Sequence, residues 1–272
     1  DYLLTSPCQL ELPQDYRTSV STVDKALSIL DLFSESRPSM GASEIARTLD
    51  WDKSNVQRYV NDLAGRGFLE QDIGSKKYFL GPALNRLSIV RSHTHPTAVE
   101  IEQVVQQLTE TTGETAHASL LVGSNLTTTT IVETRIRGTR VYIDPAAFLP
   151  LHATASGIAC LSCLPAEDVT RLLTPELEDF TDSTPRNEAD LIGAIQSARQ
   201  LGFAKMSGTF ERDVVGLASP VLDYNGGVVG AVAVAMPVAR FGEDIERNAA
   251  SAVKLAAAQI SHQYGATLAD TA

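Results

Sequence analysis

The chain is poor in cysteine and has no apolar run fit to cross a bilayer, and each absence narrows what it can be. Cys8, Cys160 and Cys163 are the only thiols in 272 residues. An odd count in a chain of this size does not read as a disulfide framework, and a reducing, cytoplasmic setting is expected. The best apolar stretch, Val228 to Met236, is bounded by Gly227 and Pro237 and falls well short of the ~18–20 residues of a membrane helix. Asp1 to Leu12 has neither a basic n-region nor a long apolar core, so it does not read as a secretory signal. A start at Asp1 instead of Met reads as a trimmed chain. There is no Gly-rich phosphate-cradling loop, no Gly-x-Ser-x-Gly elbow, no internal repeat and no low-complexity tract.

What is present is ordinary globular composition, 43% hydrophobic and 20% charged, in a length that suggests two domains. The net charge of −11 speaks against nucleic acid until its distribution is examined. From Lys53 to Arg91 seven basic residues face three acids, whereas from residue 93 onward 11 basic residues face 21 acids. Local field matters more than total charge for steering to DNA. The pattern fits a DNA-reading head on an acidic body.

Residues 1–16 show no period and read as a loose arm. Val23, Ala26, Leu27, Leu30 and Phe33 recur at helical spacing after a cap at Ser21 or Thr22. Ser43 is the expected cap of a short second helix with Ile45, Ala46 and Leu49 on its apolar stripe. Asp52 is a natural cap for a third, whose apolar positions are Val56, Tyr59, Val60 and Leu63. Two short extended runs, Phe68–Gln71 and Lys77–Leu80, flank a Gly-containing loop and predict a hairpin. Three helices followed by a hairpin is the winged helix-turn-helix order. Pro82 to Ser92 predicts a further helix with Leu84, Leu87 and Val90 apolar, and His93 to Pro96 a joint.

The second half mixes periods. Helices are expected over Thr97–Thr112, Ala153–Cys163, Pro165–Leu173, Asn187–Gln200 and Phe241–His262. Strands are expected over Ala116–Val122, Thr127–Glu133, Arg140–Ile143, Phe203–Ser207, Val214–Leu222 and Val228–Ala235. Asp223 to Gly227 is a hairpin signal. The class is therefore α+β with an antiparallel sheet.

The third helix carries the chemistry. Lys53, Ser54, Asn55, Gln57 and Arg58 are donor-rich side chains suited to base edges and phosphates. Recognition helices approach bases with their N-terminal ends. Lys76 and Lys77 at the hairpin tip would rest on the flanking backbone as a wing.

Four blocks of the first half, Thr22–Phe33 (TVDKALSILDLF), Gly41–Leu49 (GASEIARTL), Lys53–Leu63 (KSNVQRYVNDL) and Tyr78–Leu84 (YFLGPAL), closely resemble the IclR family of bacterial transcriptional regulators. The likeness continues through Leu151–Ala159 (LHATASGIA), Gly202–Ala204, Gly216–Val221 (GLASPV) and Gly230–Ala235 (GAVAVA). It covers nearly the whole chain from Ser21. It implies a winged helix-turn-helix over 17–80, a linker helix over 81–96 and a GAF-like effector-binding domain over 97–272. It also implies double-stranded operator DNA, palindromic, read by a homodimer or tetramer, and a small carboxylate effector. The effector set carried over is Val141, Leu149 and Leu217 as apolar lining, with Ala155, Ser156 and Gly157 offering N–H groups at a helix start. Ser219 adds a hydroxyl, and Ala233 and Ala235 form the floor. Thr209, Glu211 and Asp213 lie in a stretch of variable family length and are left out. Members that bind small oxo acids have serines where Ala233 and Ala235 stand, which points to a larger, more apolar or aromatic acid.

Other constellations are weaker. Cys160-Leu-Ser-Cys163 lacks the second ligand pair a zinc site needs. His93 and His95 with His117 make a poor metal set. His152 and Ser156 suggest a nucleophile and base without an acidic orienter. A hydrolase with a DNA-binding head and a DNA-binding protein with an empty body are the alternatives. No catalytic residue, metal, cofactor or membrane association is expected.

Overall fold

A computed structural model describes residues 21–34, 37–94, 97–173 and 177–266. The chain divides after Pro96 into two compact units. The arm expected over 1–16, Cys8 and His95 lie outside the described residues.

The first unit comprises α1 (Thr22–Leu30), α2 (Ala42–Thr48), α3 (Lys53–Gly65), a hairpin of β1 (Leu69–Gln71) and β2 (Tyr78–Leu80), and α4 (Ala83–Thr94). Ser21 caps α1 by accepting from the Asp24 N–H. The cap expected at Ser43 is displaced: α2 starts after Gly41, with no side-chain cap. The cause is Met40, whose N–H and C=O both bond to Tyr78 at 3.0 and 2.8 Å. That pairing holds Met40 extended, so the helix can begin as soon as the chain leaves β2. Ile29, Met40, Ile45, Val56, Val60, Leu69 and Tyr78 form the core. A Cβ on Gly81 would stand 2.3 Å from the Gly67 carbonyl oxygen, so glycine is what lets the base of the wing close on the end of α3. On α4, Leu87, Ile89 and Val90 are exposed.

The second unit is a six-stranded antiparallel sheet between two helical layers. Its elements are α5 (Thr97–Thr112), β3 (Thr115–Val122), β4 (Asn125–Val132), β5 (Phe148–Pro150), α6 (Ala155–Ser162), α7 (Ala166–Leu173), α8 (Glu188–Leu201), β6 (Ala204–Ser207), β7 (Val214–Leu222), β8 (Val228–Pro237) and α9 (Glu243–Gln263). The strand order is β5-β4-β3-β8-β7-β6. Val215, Leu217, Val232 and Val234 point to α5 and α9, while Ala218, Ala231 and Ala233 point to α6, α7 and α8. The sheet is buried on both faces, which is why β7 and β8 read as nearly continuous apolar runs.

The strand expected over Arg140–Ile143 does not form, and the edge strand β5 was not expected. Residues 133–147 instead form an irregular segment held by side chains. The Val141 carbonyl accepts from Thr115 Oγ1 at 2.9 Å. Arg240 grips the segment's base, donating Nε and a terminal nitrogen to Glu114 at 2.8 and 2.6 Å and its other terminal nitrogen to the Thr139 carbonyl at 2.9 Å. Glu114 is 2% exposed. Its charge is balanced by this bidentate pair.

Candidate functional site

Two regions carry the residues singled out by sequence. The first is α3. Asp52 caps it, accepting from the N–H groups of Ser54 and Asn55, and the Ser54 hydroxyl together with these N–H groups holds the Asp52 carboxyl below the usual carboxylate range. The cap directs the first turn outward: Lys53, Ser54, Asn55 and Arg58 are exposed. The Arg58 guanidinium lies over the Tyr59 ring, 5.2 Å from its centroid. Among the described residues Lys53, Arg58, Lys76 and Lys77 make no ion pair. At the hairpin tip Asp72 accepts from the backbone and hydroxyl of Ser75, and Lys76 takes a left-handed conformation at φ 59°. That turn leaves Lys76 and Lys77 exposed.

Gln57 stands apart from the others. It is half-buried, and its amide donates to Tyr78 Oη and to Asn61 Oδ1, both at 3.0 Å. It ties α3 to the wing strand. Sequence reasoning missed Tyr78 in this role, because a tyrosine in a short strand gives no local sign of its partner.

The second region is a cavity of about 200 Å3 inside the second unit, on the α6 side of the sheet. Its floor is His117, Gly216, Ala233 and Ala235. The neighbours across the ladder, His117 with Ala233 and Gly216 with Ala235, share a face. One wall is the start of α6, with Ala153, Thr154, Ala155 and Ser156; another is Val141, Ile143, Asp144, Ala147 and Leu149. Met206, Thr209, Phe210, Glu211 and Val214 complete it. Thr154 caps α6, its hydroxyl accepting from the Gly157 N–H at 3.1 Å. Helix geometry leaves the amides of Ala155 and Ser156 without an intrahelical acceptor. The rim is pinned from below: Thr181 and Thr184 donate to the carbonyls of Gly208 and Thr209 at 2.6 Å, and Thr209 donates to Ala153 at 2.7 Å. Partial burial raises the Glu211 carboxyl.

Of the effector set, the structure brings together Val141, Leu149, Ala155, Ser156, Ala233 and Ala235 around this cavity, and leaves three out. Leu217 and Ser219 point to the opposite face of β7. Leu217 packs under α5 and α9, and the Ser219 hydroxyl donates to the Gly202 carbonyl at 2.8 Å. Period-two alternation from Gly216 decides this. Gly157 is buried against Leu151, where a Cβ would come within 2.2 Å of the carbonyl oxygen; it serves packing. Thr209 and Glu211, left out of the sequence set, do line the cavity, and Asp213 does not.

His117 was weighed only as a metal ligand, yet it is the central polar group. It is 6% exposed. Its Nε2 lies 3.4 Å from Ser156 Oγ, and its Nδ1 is buried with no hydrogen-bond partner. Burial holds its pKa down to about 4, so it is neutral near pH 7. Ser156 therefore meets His117 and not His152, whose Nε2 is instead 2.9 Å from the Glu178 carbonyl. Among the described residues no acid orients either ring, so no nucleophilic triad is assembled from them. Cys160 is buried, and no metal-holding group occurs among the described residues. Among the described residues no helix is long and apolar enough to cross a membrane.

Comparisons with known proteins converge on one family. Residues 22–72 match the IclR helix-turn-helix domain, and residues 92–262 match the bacterial transcriptional regulator IclR C-terminal domain. The chain is 29% identical over 243 residues to the HTH-type transcriptional regulator BhcR of Paracoccus denitrificans, covering 89% of this chain and 86% of that one. A solved structure from Silicibacter sp. TM1040, described as an IclR transcriptional regulator, is 33% identical at a TM-score of 0.83, covering 91% and 97% of the two chains. An IclR homologue from Microbacterium hydrocarbonoxydans, solved with 4-hydroxybenzoate, shares the fold at a TM-score of 0.72 and 21% identity, covering 91% of this chain and 100% of that one.

Proposed function

The chain belongs to the IclR family of bacterial transcriptional regulators, and from that premise we propose that it binds a palindromic operator under the control of a small carboxylate held in the second unit. The regulatory class itself rests on the helix-turn-helix and C-terminal matches. Lys53, Ser54, Asn55 and Arg58 enter the major groove from the capped end of α3. Lys76 and Lys77 rest on phosphates beside it. Gln57 braces the helix against the wing. Two such heads, brought together as a homodimer or within a tetramer, read two half-sites. The exposed apolar side chains of α4 are the surface for that pairing. The protein acts on DNA in the cytoplasm.

One observation carries the effector reading: a cavity of about 200 Å3, mostly apolar, with the first residues of α6 in its wall. Its size exceeds the ~150 Å3 that admits a benzene ring. The start of a helix is a seat for an anion. Ala233 and Ala235 add no hydroxyl to the floor beside His117, which favours an aromatic or otherwise bulky acid over a small oxo acid. The fold holds an aromatic acid in the Microbacterium protein.

The test starts from duplexes selected by the purified protein from random DNA. Gel shifts on the selected site, with and without 4-hydroxybenzoate, benzoate, pyruvate and glyoxylate, are expected to show a palindromic site and a change in affinity with an aromatic acid. A selected site without two-fold symmetry would overturn the operator reading. Tight binding of glyoxylate or pyruvate with no response to aromatic acids would overturn the effector class.

A further inference from the structure

We propose that His117 is a specificity-determining residue of the cavity, and that a carboxylate ligand binds there together with one proton taken up by its imidazole. The inference rests on the effector reading above and adds the chemistry of recognition.

The argument is one of charge balance. Among the described residues no lysine or arginine lines the cavity, while Asp144 and Glu211 do. An anion entering this apolar space would meet two acids and no fixed cation. Helix N–H groups supply only about half a unit of positive charge. Among the described lining residues, the one side chain able to become cationic at moderate pH is His117. It stands on β3 beside Ser156 at the start of α6, 3.4 Å from Ser156 Oγ. Its Nδ1 is buried without a hydrogen-bond partner among the described residues, and such unmet groups are rare in finished interiors.

The surroundings define what else could titrate. On α6, Cys160 is further along the helix, and its thiol is pushed up by burial. Across the ladder stand Ile131 on β4 and Ala233 on β8. Glu114, three residues back on the chain, is committed to Arg240. That leaves Asp144 and Glu211 at the rim, and Glu211 is the rival because its carboxyl is already raised.

Without an anion the ring is neutral, held down by desolvation to about 4. A carboxylate within ~4–6 Å favours the charged ring. The proton then comes from solvent, the imidazolium donates to the carboxylate, and the bound pair is neutral as a whole. Binding must therefore strengthen as pH falls through the window between the bound and the free pKa, by about tenfold per pH unit.

Calorimetry of the full chain with benzoate and 4-hydroxybenzoate, in buffers of differing ionisation enthalpy, reads the proton directly. Titration of the labelled imidazoles by NMR locates it. The expected result is uptake approaching one proton per site and a His117 pKa that rises on binding. Uptake should persist in Glu211→Gln and vanish in His117→Gln, which is neutral like the ring it replaces. If His117→Gln fails to fold, the wild-type NMR titration still decides. Binding without proton uptake, or uptake with an unmoved His117 signal, would overturn this inference and leave the effector reading standing. No heat and no shift change with any carboxylate of the panel would overturn the effector reading itself.

Discussion

At the scale of single residues the two regions behave differently. Arg58 is exposed and braced over Tyr59, whereas Gln57 is spent within the protein on Tyr78 and Asn61. Arg58→Ala should weaken binding to the selected operator by about 1–3 kcal/mol if it reads a base. An unchanged gel-shift affinity would remove it from the interface. His117 makes a second prediction, this one on stability without ligand. Its folded pKa of about 4 lies below the unfolded value of 6.5. The unfolded chain therefore takes up a proton first. The contribution is fully present above pH ~6.5 and is lost as pH falls toward about 4, by ~3 kcal/mol at most. Denaturant titrations across that range should show a steeper loss for the wild type than for His117→Gln. Parallel slopes would mean that the ring is not neutral in the fold.

At the scale of elements, what could be read ahead was what has a local cause. Helix α3 was legible because Asp52 and the Val56, Tyr59, Val60, Leu63 spacing are local signals. Strands β7 and β8 were legible because Asp223 to Gly227 makes their hairpin. The Arg140–Ile143 segment was misread, because Val141 and Ile143 alternate like a strand while they are buried by distant residues, Ala235, Ile131 and Val214, and the backbone is held by Thr115 and Arg240 instead of a neighbouring strand. Leu217 and Ser219 were placed on the wrong face for a related reason. Both faces of β7 are apolar, so hydrophobicity does not announce which side looks into the cavity. The place of His117 beside Ser156 escaped notice since that partner lies 39 residues away.

Gly157 belongs to this scale, because it sets how close α6 sits to Leu151. A Cβ there would lie 2.2–2.5 Å from the Leu151 backbone, which cannot turn aside as a side chain would. Gly157→Ala should displace the start of α6 and cost about 1–3 kcal/mol. It should also remove ligand-induced stabilisation, because the Ala155 and Ser156 amides move with the helix. A variant with wild-type melting temperature and ligand response would show that the contact relaxes freely.

At the scale of the whole molecule, an acidic chain with a net charge of −11 has its basic excess between Lys53 and Arg91, seven basic residues against three acids. The first unit delivers Lys53, Arg58, Lys76 and Lys77 to solvent. The second unit holds a cavity whose only basic group among the described residues is a buried imidazole. The central claim is that this cavity takes an aromatic carboxylate. Thermal shift of the full chain against 4-hydroxybenzoate, benzoate, pyruvate and glyoxylate tests it most directly, with Ala235→Leu, which fills the floor, as the control. The account predicts a concentration-dependent rise in melting temperature with the aromatic acids, by about 2.7 kcal/mol of stabilisation at a hundredfold excess over Kd, and little or none in Ala235→Leu. A wild type that responds to no acid, or responds equally in Ala235→Leu, would contradict it.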